Sequence, residues 1–203
     1  MRTLLLNAER DEDVLEAARL LRKGLVIAFP TETVYGLGAR ADDGAAMQYL
    51  MRVKERAPDK KMTILMPDRE SAEAYAAQFN PAARALAAAF WPGPLTLVVD
   101  DGRQGAVGLR VPDLPATRRL LRAAGVPVAA PSANRSGRPP ATTAGEVMRE
   151  FEGLIPCVLD GGPARMKVAS TGVEIAGDQV RILRAGALSE ERIRAVLARR
   201  DAP

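Results

Sequence analysis

The chain has 203 residues, which suits one folded domain, because single hydrophobic cores stop growing near roughly 250–300 residues. Lys and Arg total 29 against 25 for Asp and Glu, and a solvated basic surface explains the net charge of +4 as well as nucleic-acid binding does. Histidine is absent, which excludes a catalytic imidazole, and the single cysteine excludes an internal disulfide and a zinc or iron–sulfur cluster held by cysteines. No apolar run reaches the ~18 residues of a membrane helix and no signal-peptide pattern is present, so we expect a cytoplasmic protein without membrane contact.

Glycine and proline interrupt the chain at short intervals, as turns between short elements require. The first half predicts, in chain order, a helix over 11–23 that Gly24 ends, a buried strand over 25–29, a helix capped by Asp42 or Asp43, and a strand over 62–66. A further helix is predicted to begin at Asn80 and Pro81, because an Asn cap followed by Pro at the first helical position is a typical helix start.

The second half is predicted to be richer in strands. Its predicted elements are strands over 95–99 and 107–111, a helix over 116–124 that Gly125 ends, strands over 126–130, 157–159 and 180–183, and a helix that Ser189 caps and that ends at Arg199 and Arg200. The stretches 92–111 and 156–184 each resemble adjacent strands joined by tight turns. We therefore expect one mixed sheet with helices packed on it, rather than a fully parallel sheet.

A polar segment follows the predicted strand 25–29 directly. Residues 30–38, Pro-Thr-Glu-Thr-Val-Tyr-Gly-Leu-Gly, combine hydroxyls, a carboxylate, a phenol and two glycines. Open α/β sheets usually bind their ligands where buried strands end, which favours a binding role. A polar turn that uses glycine for its backbone geometry explains the same residues.

A cationic segment lies between a predicted helix and a strand. Residues 54–61, Lys-Glu-Arg-Ala-Pro-Asp-Lys-Lys, hold four cations and could bind an anion, since Arg offers a planar fork and Lys a point charge. On composition alone, a solvated run of charges is the simpler interpretation.

A third segment follows another apolar strand. Residues 131–143, Pro-Ser-Ala-Asn-Arg-Ser-Gly-Arg-Pro-Pro-Ala-Thr-Thr, offer small hydrogen-bonding groups that suit nucleotide contacts. An ordered loop whose Ser and Asn side chains bind their own backbone fits equally well. No Walker-type motif is present and no G-x-G-x-x-G follows a strand, so a nucleotide would be held in another way.

Taken together, these segments resemble the YrdC family, the threonylcarbamoyl-AMP synthases. The matching motifs occur in family order at 30–38, Lys54-x-Arg56, 91–96, 109–112, 131–134 with 136–137, 160–162, 170–171 and 182–186. The resemblance implies an α/β fold of α+β-like organisation, in which a twisted mixed parallel and antiparallel sheet carries flanking helices and a concave basic cleft. It also implies a single domain over 1–203 without the second C-terminal domain of longer relatives.

The activity implied by this resemblance is that of a nucleotidyltransferase. L-threonine, bicarbonate and ATP would give threonylcarbamoyl-AMP and pyrophosphate, the first step of tRNA threonylcarbamoyl-adenosine modification. Mg²⁺ would accompany the ATP phosphates, without metal ligands from protein side chains. The implied partners are threonylcarbamoyl transferase proteins, with direct contact to RNA or tRNA as a further candidate. Two alternatives stay open, namely a YrdC-fold paralogue acting on another carbamoyl-type substrate and an RNA-binding module that uses the basic cleft.

Site residues are implied position by position. Lys54 and Arg56 would be catalytic. The threonine site would comprise Thr33, Tyr35, Arg110, Asn134 and Ser170, with Arg110 facing the carboxylate, and the ATP site Arg56, Lys60, Ser132, Thr142 and Arg184. Leu65 stands where many relatives carry a histidine. A cationic site of this kind suits phosphoryl-type transfer, which depends mainly on positioning and electrostatic stabilisation, and it needs no histidine base.

Overall fold

A computed structural model of the chain describes residues 2–56, 62–102, 105–177 and 179–200. The helices in these ranges are α1 (Asp11–Arg22), α2 (Gly44–Lys54), α3 (Arg69–Tyr75), α4 (Pro81–Phe90), α5 (Pro115–Ala124), α6 (Ala144–Phe151) and α7 (Glu190–Arg200). The strands are β1 (Leu4–Asn7), β2 (Ile27–Phe29), β3 (Gly36–Arg40), β4 (Thr63–Leu65), β5 (Leu95–Asp100), β6 (Ala106–Arg110), β7 (Val128–Ala129), β8 (Cys157–Asp160), β9 (Thr171–Ala176) and β10 (Gln179–Arg184).

All ten strands of the described ranges join one sheet, in the order β1-β8-β2-β3-β7-β4-β6-β5-β9-β10. The parallel pairs are β1–β8, β8–β2, β4–β6 and β5–β9. The antiparallel pairs are β2–β3, β3–β7, β7–β4, β6–β5 and β9–β10. The prediction of a mixed sheet with flanking helices is therefore confirmed, whereas the extent of one domain over 1–203 stays a prediction.

Local signals place several helix ends where the sequence predicts them. Asp43, not Asp42, caps α2, since its carboxylate accepts from the amides of the first helical turn. The Asn80 side chain caps α4 in the same way, with Pro81 at the first helical position. Helix α5 ends at Gly125, whose φ of 62° lies in the left-handed region that glycine adopts without strain.

The prediction of adjacent strands over 156–184 is wrong for the first strand of that stretch, β8. Strand β8 pairs with β1 and β2, whereas β10 pairs with β9, so the two strands predicted in this stretch, 157–159 and 180–183, are not neighbours. The strand predicted over 126–130 is shorter, at Val128–Ala129. Elements β1, β3, α3, α6 and β9 were not predicted from the sequence.

Strand β3 lies inside the glycine-containing segment 30–38, and glycine is depleted in strands, which concealed it. Gly38 is required there because a Cβ atom would lie 2.3 Å from a ring carbon of Phe29 on β2. The glycine thus makes room for the Phe29 ring beside the paired strand.

Three apolar clusters fix the sheet against its helices within the described residues. One packs α4 and α7 on β5, β6 and β9, another packs α1 and α5 on β2 and β8, and the third packs α2 and α6 on β2, β3 and β8. Burial of these faces holds the strand ends that carry the polar residues. None of the helices in the described ranges is long and apolar enough to cross a bilayer.

Replacing Asn80 with Ala should lower the free energy of unfolding by about 1–2 kcal/mol, the usual effect of losing an N-cap. The Asn80 Oδ1 accepts from the Ala83 amide at 2.9 Å, and its Nδ2 donates to the Gly177 carbonyl at 2.6 Å. Asn80→Ser keeps a capping oxygen and removes the amide that reaches Gly177, so it serves as the matched control and should retain most of the stability. Urea denaturation measures both variants, and an Ala variant as stable as the parent chain would contradict this account.

Candidate functional site: a cleft lined by guanidinium and hydroxyl groups

A cleft opens beside the segment that joins β2 to β3 and extends along the ends of the central strands. It is lined by Thr31, Thr33, Val34, Tyr35, Gly36, Thr63, Leu65, Thr96, Arg110, Ala130, Pro131, Ser132, Ala169, Ser170 and Arg184. Six residues predicted for the site are among them: Thr33, Tyr35, Arg110, Ser132, Ser170 and Arg184. Lys60 lies outside the described residues.

Arg110, the last residue of β6, is the most firmly held cation of the cleft. Its Nη2 donates to Glu32 Oε1 at 2.7 Å and to Thr33 Oγ1 at 2.9 Å, and its Nε donates to the Gly93 carbonyl at 3.2 Å. The Arg110–Glu32 ion pair is almost inaccessible to solvent. Within the described residues, Nη1 makes no hydrogen bond, so that edge of the guanidinium can bind an anion.

The hydroxyls beside Arg110 have a defined polarity. Thr31 Oγ1 donates to the Val34 carbonyl at 2.6 Å and accepts from the Thr33 and Val34 amides. Because that bond uses its only proton, Thr33 must donate in the 2.8 Å contact between the two hydroxyls. The Thr33 oxygen also accepts from Arg110, so it can offer a ligand one lone pair and no proton.

A second cationic group forms at the end of β10. Arg184 donates through Nε to the Ser170 carbonyl at 3.0 Å and through Nη2 to the Ser170 hydroxyl at 2.9 Å. That hydroxyl lies 2.8 Å from Thr96 Oγ1 on β5. Burial lowers the pKa of Arg184, and the nearby charges of Arg110 and Arg56 lower it further. Three guanidinium groups therefore act on the same small region.

The Tyr35 ring lines the cleft, but its hydroxyl is bound elsewhere. The hydroxyl donates to the Gly162 carbonyl at 2.8 Å, lies 3.2 Å from Asp160 Oδ1 and accepts from the Gly161 amide. Burial raises the pKa of this phenol, so it stays neutral. Tyr35 thus shapes the cleft and joins β3 to the end of β8.

Lys54, the last residue of α2, clamps the segment 131–138. Its ammonium donates to the carbonyls of Ser132 and Asn134, the latter at 2.6 Å, and its own carbonyl accepts from the Ser136 amide at 2.9 Å. Burial, together with the charge of Arg56, lowers the pKa of Lys54 to about 8. The structure thus brings Lys54 to the segment that carries Ser132, at one side of the cleft.

Two other predicted residues bind their own segments. Asn134 accepts from the Ser132 hydroxyl at 2.6 Å and donates to the carbonyls of Arg135 and Arg138. Thr142 donates through both its amide and its hydroxyl to Glu146 Oε2, at the start of α6. These bonds order the segment 131–143, as one of the two interpretations of its sequence expected.

Sequence reasoning gave no role to two residues that organise this site. Glu32 lies within the segment 30–38 and Thr96 within 91–96, but their partners, Arg110 and Ser170, lie more than seventy positions away along the chain. The signal available for Glu32 was a carboxylate in a segment expected to be buried beside a strand. A buried carboxylate requires a cationic partner.

Comparisons with known proteins agree with this geometry. The sequence model of the Sua5/YciO/YrdC family, described as "Telomere recombination", matches residues 19–186. A threonylcarbamoyl-AMP synthase of Bacillus subtilis is 38% identical over 92% of this chain and 57% of its own length. A putative threonylcarbamoyl-AMP synthase of Mycobacterium tuberculosis is 36% identical over 93% of this chain and 91% of its own.

Among solved structures, P. abyssi Sua5 complexed with L-threonine superposes with a TM-score of 0.91 at 38% identity, over 96% of this chain and 61% of that one. The chain therefore spans about three fifths of the length of that protein and of the B. subtilis relative. The family match covers most of the described sheet and every cleft residue named above. The chain belongs to the Sua5/YciO/YrdC family.

Proposed function

We propose that the chain makes threonylcarbamoyl-AMP from L-threonine, bicarbonate and ATP, with release of pyrophosphate. Family membership supports the proposal, and so do the names of relatives that share more than a third of its residues. The structure that superposes at a TM-score of 0.91 is of a protein complexed with L-threonine. These findings favour a synthase over an RNA-binding module or a paralogue with another carbamoyl-type substrate.

The observation that carries the proposal is the free edge of Arg110 beside two buried hydroxyls. Three protein acceptors fix the Arg110 guanidinium, and its Nη1 keeps two protons that can make charge-assisted hydrogen bonds to a carboxylate. Thr33 and Ser170 lie within the same cleft and can bind the amine or hydroxyl of an amino acid. We assign the amino-acid site to this end of the cleft.

ATP would lie towards Arg184, with Arg56, Lys60, Ser132 and Thr142 as its further proposed contacts. The polar side chains that line the cleft carry hydroxyl and guanidinium groups, which offer Mg²⁺ none of the carboxylates it prefers. In the described ranges, no group of three or more acidic or cysteine side chains is placed to hold a metal ion. This donor set fits a Mg²⁺ held by ATP phosphates, where it would neutralise part of their charge.

The reaction then needs two bond-forming steps. The neutral amine of threonine forms an N–C bond to carbon dioxide, derived from bicarbonate, and loses a proton to give a carbamate. A carbamate oxygen attacks the α-phosphorus, and pyrophosphate leaves as the phosphoanhydride bond breaks. Arg184 and Arg56 are suited to stabilise the charge on the phosphates, and Arg110 holds the carboxylate away from the reacting amine. Lys54 would act by holding the Ser132 segment and by its charge.

The wider setting belongs to the proposal as well. Threonylcarbamoyl transferase proteins would take the product to tRNA, and direct RNA contact would use the same basic cleft. A location in the cytoplasm stays a prediction from the sequence.

Pyrophosphate release from ATP should require L-threonine and bicarbonate together. Serine should support it less well by about 10–200-fold, since a lost methyl contact is worth only ~1–3 kcal/mol. Valine should support it less still, because the remaining lone pair of the Thr33 oxygen would receive no donor from its side chain. A coupled pyrophosphate assay measures all three amino acids, with Arg56→Ala as an inactive control. Release that is independent of the amino acid would refute the proposed function.

The buried ammonium of Lys54 should make folding stability depend on pH. With a native pKa of about 8 and an unfolded value of about 10.4, the unfolded state binds more protons between these values, so stability rises with pH there. From pH 7 to pH 9.5 this contribution amounts to about 2 kcal/mol, and Lys54→Met should lack it. The exposed Lys23 provides the control Lys23→Met.

Urea denaturation at the two pH values gives the difference directly. The parent chain and Lys23→Met should gain more stability than Lys54→Met does. An equal gain in all three proteins would mean that the two carbonyls keep the Lys54 ammonium protonated over the whole range.

A further inference from the structure

We infer that Glu32 is a positioning residue of the amino-acid site: its carboxylate orients Arg110 so that the free Nη1 edge binds the carboxylate of the amino acid. The inference rests on the proposed function and deepens it, since it names the group that selects for a carboxylate-bearing substrate. Glu32 does not itself line the cleft, so it acts through Arg110.

Glu32 is held in place through both its side chain and its backbone. Its Oε1 accepts from Arg110 Nη2 at 2.7 Å, and its backbone carbonyl accepts from the Met166 amide at 2.9 Å. Its side chain is fully inaccessible to solvent. The β2–β3 connection is thereby tied both to the end of β6 and to the segment before β9, so the carboxylate cannot follow Arg110 if the guanidinium turns.

Arg110 needs such a partner because its other contacts leave its orientation incomplete. The Gly93 carbonyl binds only Nε, and the Thr33 hydroxyl shares Nη2 with Glu32. Glu32 is the charged partner among these three and therefore makes the strongest of the bonds. Because Nε and Nη2 are both occupied, Nη1 is the guanidinium nitrogen that remains for a ligand in the cleft.

The charges around the pair give a second reason. Arg184, which lines the same cleft as Arg110, has a pKa lowered first by burial and then by the charges of Arg110 and Arg56. Repulsion would drive an uncompensated Arg110 away from this region. Glu32 offsets that repulsion through its contact with Nη2, without itself lining the cleft.

The remaining carboxylate oxygen argues for function rather than stability. Glu32 Oε2 is buried and makes no hydrogen bond within the described residues. A buried ion pair with an unsatisfied oxygen stabilises a fold poorly, and an apolar pair of similar volume often does as well. Retaining the carboxylate is intelligible if its purpose is to hold Arg110 in one orientation.

Binding of two ligands to the whole chain tests the inference. L-threonine carries the carboxylate, and isopropanolamine is threonine without it. The dissociation constant of isopropanolamine divided by that of L-threonine therefore reports how well the carboxylate is bound. Glu32→Gln keeps the reach of the side chain and removes its charge, whereas Glu32→Asp keeps the charge and shortens the reach. Isothermal titration calorimetry should show that the ratio falls by about tenfold or more in both variants, as expected for a misplaced fork.

Turnover supplies a readout that a merely structural role would not move. In both variants the KM for threonine should rise by about tenfold, while the KM for ATP stays within about twofold, because only the carboxylate contact changes. Asp113→Asn removes the same kind of carboxylate from the exposed Asp113–Arg165 pair and is the matched control. It should leave both constants unchanged.

The outcomes separate the inference from the proposed function. A parent chain that does not prefer threonine to isopropanolamine would refute the amino-acid site itself. A parent chain with that preference, together with folded Glu32 variants that keep it, would overturn the role of Glu32. Circular dichroism identifies folded variants, and should Glu32→Gln be unfolded, Glu32→Asp decides alone, since it keeps a carboxylate in the region of Arg110.

Discussion

The cleft depends on one constraint: several cationic side chains must be held close together although their charges repel one another. Arg110, Arg184 and Lys54 are all held by fixed oxygen acceptors, mainly backbone carbonyls, and only Arg110 has a carboxylate partner. Carbonyl dipoles stabilise a cation without neutralising it, so the region keeps a positive potential for an anionic ligand. Burial lowers the pKa of Lys54 and of Arg184, and the neighbouring guanidinium charges lower both further.

The sheet topology explains how distant residues reach one edge. Strand β6 runs antiparallel to β5, so Arg110 at the end of β6 lies beside the start of β5. Strand β9 is parallel to β5, which brings Ser170, just before β9, to the same edge, and the antiparallel β10 returns Arg184 there. The register pairs Gly172 with Arg184, and a Cβ at Gly172 would meet the Arg184 side chain at 3.6 Å. That distance is an ordinary van der Waals contact, so the strand register, rather than the missing side chain, returns Arg184 to Ser170.

Much of this could be predicted from the sequence, and what could not was non-local. Helix ends such as the cap at Asn80 follow from side chains a few positions apart, and the mixed character of the sheet follows from the strand pattern. Strand β3 could not be predicted, because glycines selected for contact with Phe29 weaken the strand signal. The partnership of Glu32 with Arg110 depends on the register of the intervening strands, which no local pattern encodes.

The direction of one hydroxyl proton has a consequence for which amino acid the cleft can accept. Because Thr31 gives its proton to a carbonyl, Thr33 gives its own to Thr31 and presents only a lone pair to the cleft. On the proposed function, the ligand must therefore bring the donor, either its amine or its side-chain hydroxyl. An apolar side chain of similar shape would leave the remaining lone pair of this buried oxygen without a donor, a penalty that adds to any loss of packing. The cleft would thus reject valine because of the direction of the hydrogen bonds between its own threonines, whereas serine would lose only a packing contact.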